Sequence, residues 1–319
     1  MAIHLATKTL SLIETLMEAD QGAAFRVAQG KVMPHMKDAY RGADEGFRTH
    51  LGSSIIGKTC AREIWYGWRW FKKPRFSGRM LRLFNRGHLE EARFIAMFLS
   101  VGFQFYQQDA NGNQFRISEL GGHFGGSGDG VVLGIPDVPS GQPCLAEFKT
   151  HGDNPFKKLM KFGVQISKFE HYVQMQTYMR KMKINYAIYC AINKNTDEIY
   201  MEIITLDTLI ADQFLERGKT IVMMRQIPDR IQHASMGFEE CRWCDFQDIC
   251  LMNDKPDRNC RTCFNAVPKE DGTWWCESKE RRLGMVFPSV DPADKTDGET
   301  FELSKERQLV GCKNFYVPI

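Results

Sequence analysis

The run Cys144-Leu145-Ala146-Glu147-Phe148-Lys149-Thr150 decides how this chain is read. Side chains alternate between the two faces of a strand, so Glu147 and Lys149 share one face and Phe148 takes the other. A carboxylate and an ammonium then stand side by side over an apolar backing. Strands with one solvent face often carry such pairs, so the meaning of this triplet rests on its surroundings.

Upstream, Gly125-Gly126-Ser127-Gly128-Asp129-Gly130 leads into the apolar run Val131-Val132-Leu133-Gly134-Ile135, expected to be a strand with Asp129 at its entrance. Residues 136–143, dense in proline, glycine and serine, read as the turn before the Glu147 strand. In an antiparallel hairpin the start of the first strand faces the end of the second, which brings Asp129 beside Glu147 and Lys149. Asp137 is the competing carboxylate, but it sits in the turn, at the far end of the hairpin. Downstream, residues 169–179 contain no glycine or proline and read as a helix, on which Gln174 and Tyr178 share a face. Residues 185–193 and 198–206 read as a second hairpin around Lys194-Asn195-Thr196-Asp197. Ahead of all these, a helix is expected to begin at Arg86 and run to about Ser100. Its Glu90-Glu91 pair suits a solvated first turn, or one carboxylate faces the hairpin. Helix, hairpin, helix, hairpin implies an α/β fold with a mixed central β-sheet flanked by helices.

Gly87 with Glu91, Asp129 at a strand start, Glu147-x-Lys149 on the next strand and Gln174-x-x-x-Tyr178 on the following helix form an ordered set. Over roughly residues 50–255 this set resembles the PD-(D/E)XK nuclease superfamily in its RecB-like branch. The resemblance implies a restriction-endonuclease-like core and a Mg²⁺- or Mn²⁺-dependent deoxyribonuclease. An exonuclease of DNA recombination, repair or degradation, phage or bacterial, is expected ahead of an endonuclease. The alternative is a catalytically inactive DNA-binding scaffold that keeps the fold. Asp129, Glu147, the Phe148 carbonyl and Glu91 would hold the ions, hard cations that prefer oxygen ligands. Lys149 would position or help deprotonate a water, and Gln174 and Tyr178 would orient the lysine and contact DNA. Many RecB-like members carry histidine where Glu91 falls; His88 does not match that position. His171 is either a phosphate contact or part of the helix surface.

Ten cysteines point to metal binding before disulfides if the compartment is reducing. Cys241-x2-Cys244-x5-Cys250 lacks one ligand of a closed site, and Cys60 is the natural fourth. Four thiolates suit zinc or an iron-sulfur cluster. The split, one cysteine before the core and three after it, resembles nucleases of the AddB and CRISPR-adaptation types and implies a structural [4Fe-4S] cluster. Cys260-x2-Cys263, Cys276 and Cys312 form a second set suited to Zn²⁺ in a ribbon. Cys144 and Cys190 lie on expected strands and read as buried, inert residues.

The segment from Trp65 to Phe76 interleaves rings with cations. Either the rings stack unpaired bases while Lys72, Lys73 and Arg75 meet phosphates, or the rings pack around the cluster and only the cations face outward.

With 319 residues, 43% of them hydrophobic, the chain can bury a full core. We expect a nuclease domain over 1–255 and a small cysteine-rich domain over 256–319. The net charge of +3 permits nucleic-acid contact without marking a strongly basic module. Residues 1–20 mix charges into a helical apolar period, unlike a signal peptide. The expected setting is therefore the cytoplasm of a bacterium or phage-infected host, without a membrane. DNA ends or single strands are the expected partner, alongside a recombination or single-strand-binding protein.

Overall fold

In a computed structural model of the protein, which describes residues 3–35, 48–110, 114–283 and 316–317, the Glu147 run is the central strand of a five-stranded sheet. The strands are β1 (Gln104–Tyr106), β2 (Gly130–Leu133), β3 (Cys144–His151), β4 (Tyr186–Asn193) and β5 (Ile199–Thr205), and their order in the sheet follows the sequence. Only β3 and β4 are parallel. A parallel pair needs a crossover, and two helices supply it, α4 (Asp153–Ser167) and α5 (Phe169–Met182). Further helices among the described residues are α1 (Thr7–Ala19), α2 (Ala23–Val32) and α3 (Gly78–Ser100), and the helix Thr208–Met223 follows the sheet. The fold is mixed α/β, a mixed sheet flanked by helices, as its pattern implies.

Alternation along β3 sets the two layers. Cys144, Ala146 and Phe148 face a core shared with Ala92, Phe94 and Phe98 of α3, where Phe94 stacks on Phe148 with ring centroids 5.1 Å apart. Glu147, Lys149 and His151 take the opposite face, against α5, through contacts from Gln174 and His171.

Helix α3 starts at Gly78, about two turns before the expected Arg86, because Ser77 caps it: the Ser77 hydroxyl accepts from the Met80 N–H at 3.3 Å. Helix α4, not anticipated, is broken at Gly163, whose φ of 67° and ψ of 176° suit glycine alone. Glu202 accepts from the Val164 N–H at 2.8 Å and restarts the helix.

The chain divides into two units, 1–44 with 76–117 and 126–214, and 45–75 with 118–125 and 215–319. This departs from the boundary expected at 255/256: Cys60 and Cys241 to Cys250 fall with the C-terminal cysteines and apart from the carboxylates. The second unit holds the helix Ala61–Trp68 and an antiparallel sheet with Trp274–Cys276 between Ala266–Pro268 and Arg281–Leu283. Trp65, Trp68, Trp70 and Phe71 are buried here. The Arg261 guanidinium lies 4.7, 4.3 and 4.7 Å from the ring centroids of Trp68, Trp70 and Trp274. Burial rules out base stacking by Trp65, Trp68, Trp70 and Phe71, whereas Phe76 at the end of the segment is exposed and packs edge-on to Phe84. Among the described residues no helix is long and apolar enough to cross a membrane.

Candidate active site

The β2–β3 register pairs Gly130 with Ala146, so Asp129 enters the sheet beside Glu147. Asp129 Oδ2 accepts from the Phe148 N–H at 2.7 Å, which fixes the carboxylate at the strand edge. Glu147 is fully buried; one oxygen is ion-paired with the Lys149 ammonium, and the other accepts from Gln174 Nε2 at 3.2 Å. Burial, reinforced by the neighbouring Glu147, pushes the Asp129 carboxyl well above its ordinary range. Burial likewise raises Glu147, against the opposing pull of Lys149. For Lys149 burial works downward, but Glu147 and Asp129 together outweigh it and the ammonium is held above its usual range.

Glu90 and Glu91 separate cleanly. Glu90 is buried and takes two bonds from Arg93 at 3.0 and 2.9 Å. Glu91 acts electrostatically on Asp129, Glu147 and Lys149, and its carboxylate lies 3.6 Å from His88 Nδ1. Asp137 is occupied elsewhere: it accepts from the Lys8 and Thr9 N–H groups at 3.2 and 2.8 Å and from the Thr9 hydroxyl at 2.6 Å, holding the first turn of α1.

Tyr178 is buried, with its hydroxyl against Gly126: a Cβ there would lie 2.2 Å from the oxygen. It therefore abuts the segment that delivers Asp129. His171 is half-buried against β3 and β4 rather than lying on the open helix surface. Its Nδ1 is 3.0 Å from the Tyr189 hydroxyl, which is also 2.9 Å from His151 Nε2, and the two imidazoles stack at 5.9 Å. Burial holds both histidines neutral, His151 down to about 3 and His171 to about 2, with the Lys149 and Lys168 charges adding to each shift. Tyr189 pairs with Glu147 in the β3–β4 register. Sequence reasoning missed Tyr189 and His151; the alternation that put Lys149 beside Glu147 also puts His151 on that face.

In the second unit, Cys60, Cys241, Cys244 and Cys250 line one small pocket, together with Arg62, Tyr66, Arg230 and Phe246. The Glu63 N–H donates to Cys60 Sγ at 3.4 Å and Arg62 Nη1 to Cys250 Sγ at 3.9 Å. Burial pushes the Cys60 thiol up and the Cys244 thiol to about 12. Cys260, Cys263 and Cys276 are buried, and Cys263 Sγ accepts from the Tyr316 N–H at 3.5 Å; Cys312 lies outside the described residues. Among the described residues, no three His, Cys, Asp or Glu side chains are drawn together as ligands of a single ion. Cys144 and Cys190 are fully buried on β3 and β4.

Of the cations expected to meet DNA, Lys72 is ion-paired with Asp248 and also donates to the Asp245 carbonyl at 3.2 Å. The Lys73 N–H donates to Asp257 at 2.6 Å, leaving its ammonium and Arg75 on an exposed stretch.

No family model matches the chain, and no curated protein does. Among solved structures it is similar to LHK-Exo, an alkaline exonuclease from Laribacter hongkongensis, at 13% identity over 55% of this chain and 86% of that one, with a TM-score of 0.37. LHK-Exo in complex with dAMP gives 15% identity, the same coverage and a TM-score of 0.38. SSO0001 gives 14% identity over 74% of this chain and 99% of that one, with a TM-score of 0.31. Likeness at this level carries no argument about activity, which must come from the site itself.

Proposed function

We propose that the protein is a divalent-cation-dependent deoxyribonuclease, acting as an exonuclease in DNA recombination, repair or degradation. The observation that carries this reading is the buried Glu147, held between Lys149 and Gln174 with Asp129 latched beside it. Asp129, Glu147 and Glu91 bring three carboxylates to one lysine, an excess of two negative charges that one divalent cation neutralises. The donor set is oxygen only, which suits Mg²⁺ or Mn²⁺.

Asp129, Glu147 and the Phe148 carbonyl would hold the ion, with Glu91 adding negative charge. When bound, it lowers the pKa of a coordinated water and offsets charge building on the phosphate. Lys149 orients the attacking water and stabilises the developing oxyanion. Gln174 fixes the Glu147 carboxylate, and Tyr178 supports the segment bearing Asp129.

The four-cysteine cavity suits a [4Fe-4S] cluster. What supports it is that all four thiols line one space, the arrangement a cluster held between them needs. A brown preparation absorbing near roughly 400 nm would agree, and a colourless, zinc-loaded protein would discard the cluster. Cys260, Cys263, Cys276 and Cys312 remain the proposed zinc ligands on their spacing.

The deciding assay uses end-labelled linear and closed circular DNA with Mn²⁺, comparing wild type with Glu147→Ala and Lys149→Ala. Loss of cleavage in both variants is expected, and equal activity in all three proteins discards the mechanism. Cleavage of the linear form alone is the exonuclease outcome.

A further inference from the structure

Helix α4 hides only part of its apolar surface. Phe156, Leu159 and Val164 are buried, whereas Met160, Phe162 and Ile166 stand 54%, 43% and 73% exposed. The break at Gly163 interrupts the helical period between Phe162 and Ile166. Lysines run among these side chains. Lys157 is paired with Asp153 at 2.7 Å, but no carboxylate among the described residues lies within ion-pair distance of Lys158 or Lys161. The Lys161 ammonium lies 5.0 Å from the centroid of the Phe162 ring. A core residue needs none of this exposure, and a merely solvated helix face needs no such rings.

Geometry joins the patch to the carboxylate cluster: α4 ends at Ser167, Lys168 leads into α5, and His171 of α5 stacks on His151, which shares the strand face of Glu147 and Lys149. The positive charge of Lys158 bears on Lys168, at the junction of α4 and α5. Lys168 in turn bears on His171 and His151, as does Lys149 of the site. Cations thus continue from Lys168, beside the stacked imidazoles, to Lys158 and Lys161 on the outward turn of α4.

We propose that the outward face of α4 carries a single nucleic-acid strand to or from the carboxylate cluster, with Lys158 and Lys161 meeting phosphates and Phe162 and Ile166 receiving bases. A polyanion fits because its charge is repeated along its length, as the lysines are, and because its chain must pass the site to be cut. Exposed rings beside cations are the usual platform for unpaired bases, which stack without regard to sequence. The proposal rests on the nuclease reading, and the experiment separates the two.

Binding of a fluorescent oligothymidylate to the full chain is measured across a salt series in Ca²⁺, to hold hydrolysis off. Lys158→Ala/Lys161→Ala should shallow the slope of log affinity against log salt by about 1.4, the value for two phosphate contacts on a single strand. Phe162→Ala should weaken binding roughly tenfold with little change in slope. Hydrolysis of a small diester, thymidine 5′-p-nitrophenyl phosphate, should be unchanged, since these exposed side chains do not touch the site. Unchanged oligonucleotide binding overturns the strand path, as does a parallel loss of small-diester hydrolysis. So does a variant that loses only self-association or binding of polyglutamate, since the patch would then serve a second copy or an acidic peptide. If wild type cleaves neither substrate, the nuclease reading falls, and the salt slope still tests the path.

Discussion

Asp129 and Asp137 lie close in sequence and do different work. Asp137 ties the start of α1 through three hydrogen bonds, so Asp137→Ala should lower stability by about 1–2 kcal/mol while leaving DNA cleavage intact. Asp129 sits beside another buried carboxylate, and burial and that neighbour both oppose its ionisation. Asp129→Asn keeps the shape and removes the repulsion. Thermal unfolding of the metal-free protein should therefore show a higher Tm for Asp129→Asn, with cleavage lost. A lower Tm would mean that the bond to the Phe148 N–H outweighs the repulsion. The Asp129–Glu147 pairing was legible because hairpin register follows from strand and turn patterns alone. The Tyr189 hydroxyl between His151 and His171 was not, since its partners come from β3 and α5 and nothing local marks that meeting.

At the scale of elements, α5 touches the opposite side of the site through Gln174, His171 and Tyr178, all on one face, as the spacing implied. The close approach of Tyr178 to Gly126 gives this packing a sharp test. Gly126→Ala would drive a methyl group into the Tyr178 oxygen, and the ring is too buried to swing aside. Cleavage should fall at least tenfold and stability by about 1–3 kcal/mol, the usual cost of overpacking. Adding Tyr178→Phe removes the colliding oxygen, so the double variant should recover stability relative to Gly126→Ala alone. If the two losses simply add, the contact is not what limits Gly126. The parallel β3–β4 pair was harder to read than either hairpin. It depends on α4, whose glycine break and exposed apolar side chains blur the helical period that would have announced it.

At the scale of the whole molecule, the chain passes between its two units at 44/45, 75/76, 117/118, 125/126 and 214/215, so neither unit is a continuous stretch. The cut expected at 255/256 separated the two cysteine sets, Cys60 with Cys241 to Cys250 and then Cys260 onward; the packing partners of Trp65 to Phe71 were invisible to that reading. Arg69 is fully buried and donates to the carbonyls of Ala266 and Cys263 at 2.9 and 2.6 Å. A chain ending at 255 would strand it, and should be insoluble or open to protease in 45–75; a cooperatively folded fragment would contradict this. All six tryptophans belong to the second unit, so their fluorescence reports its unfolding alone. His123 of that unit is buried, lies 5.3 Å from Trp68 and places Nε2 3.1 Å from the Thr273 carbonyl. Burial holds its pKa down to about 4, against an ordinary 6.5. The unfolded chain then binds a proton between those values and the folded chain does not. Stability is fully present above pH 6.5 and is lost as pH falls toward 4, by on the order of 3 kcal/mol from this group. His123→Gln keeps a donor for the Thr273 carbonyl and cannot titrate. Urea midpoints read by tryptophan fluorescence should therefore fall less between pH 7.5 and 4.5 in His123→Gln than in wild type, and equal falls would remove His123 as the cause.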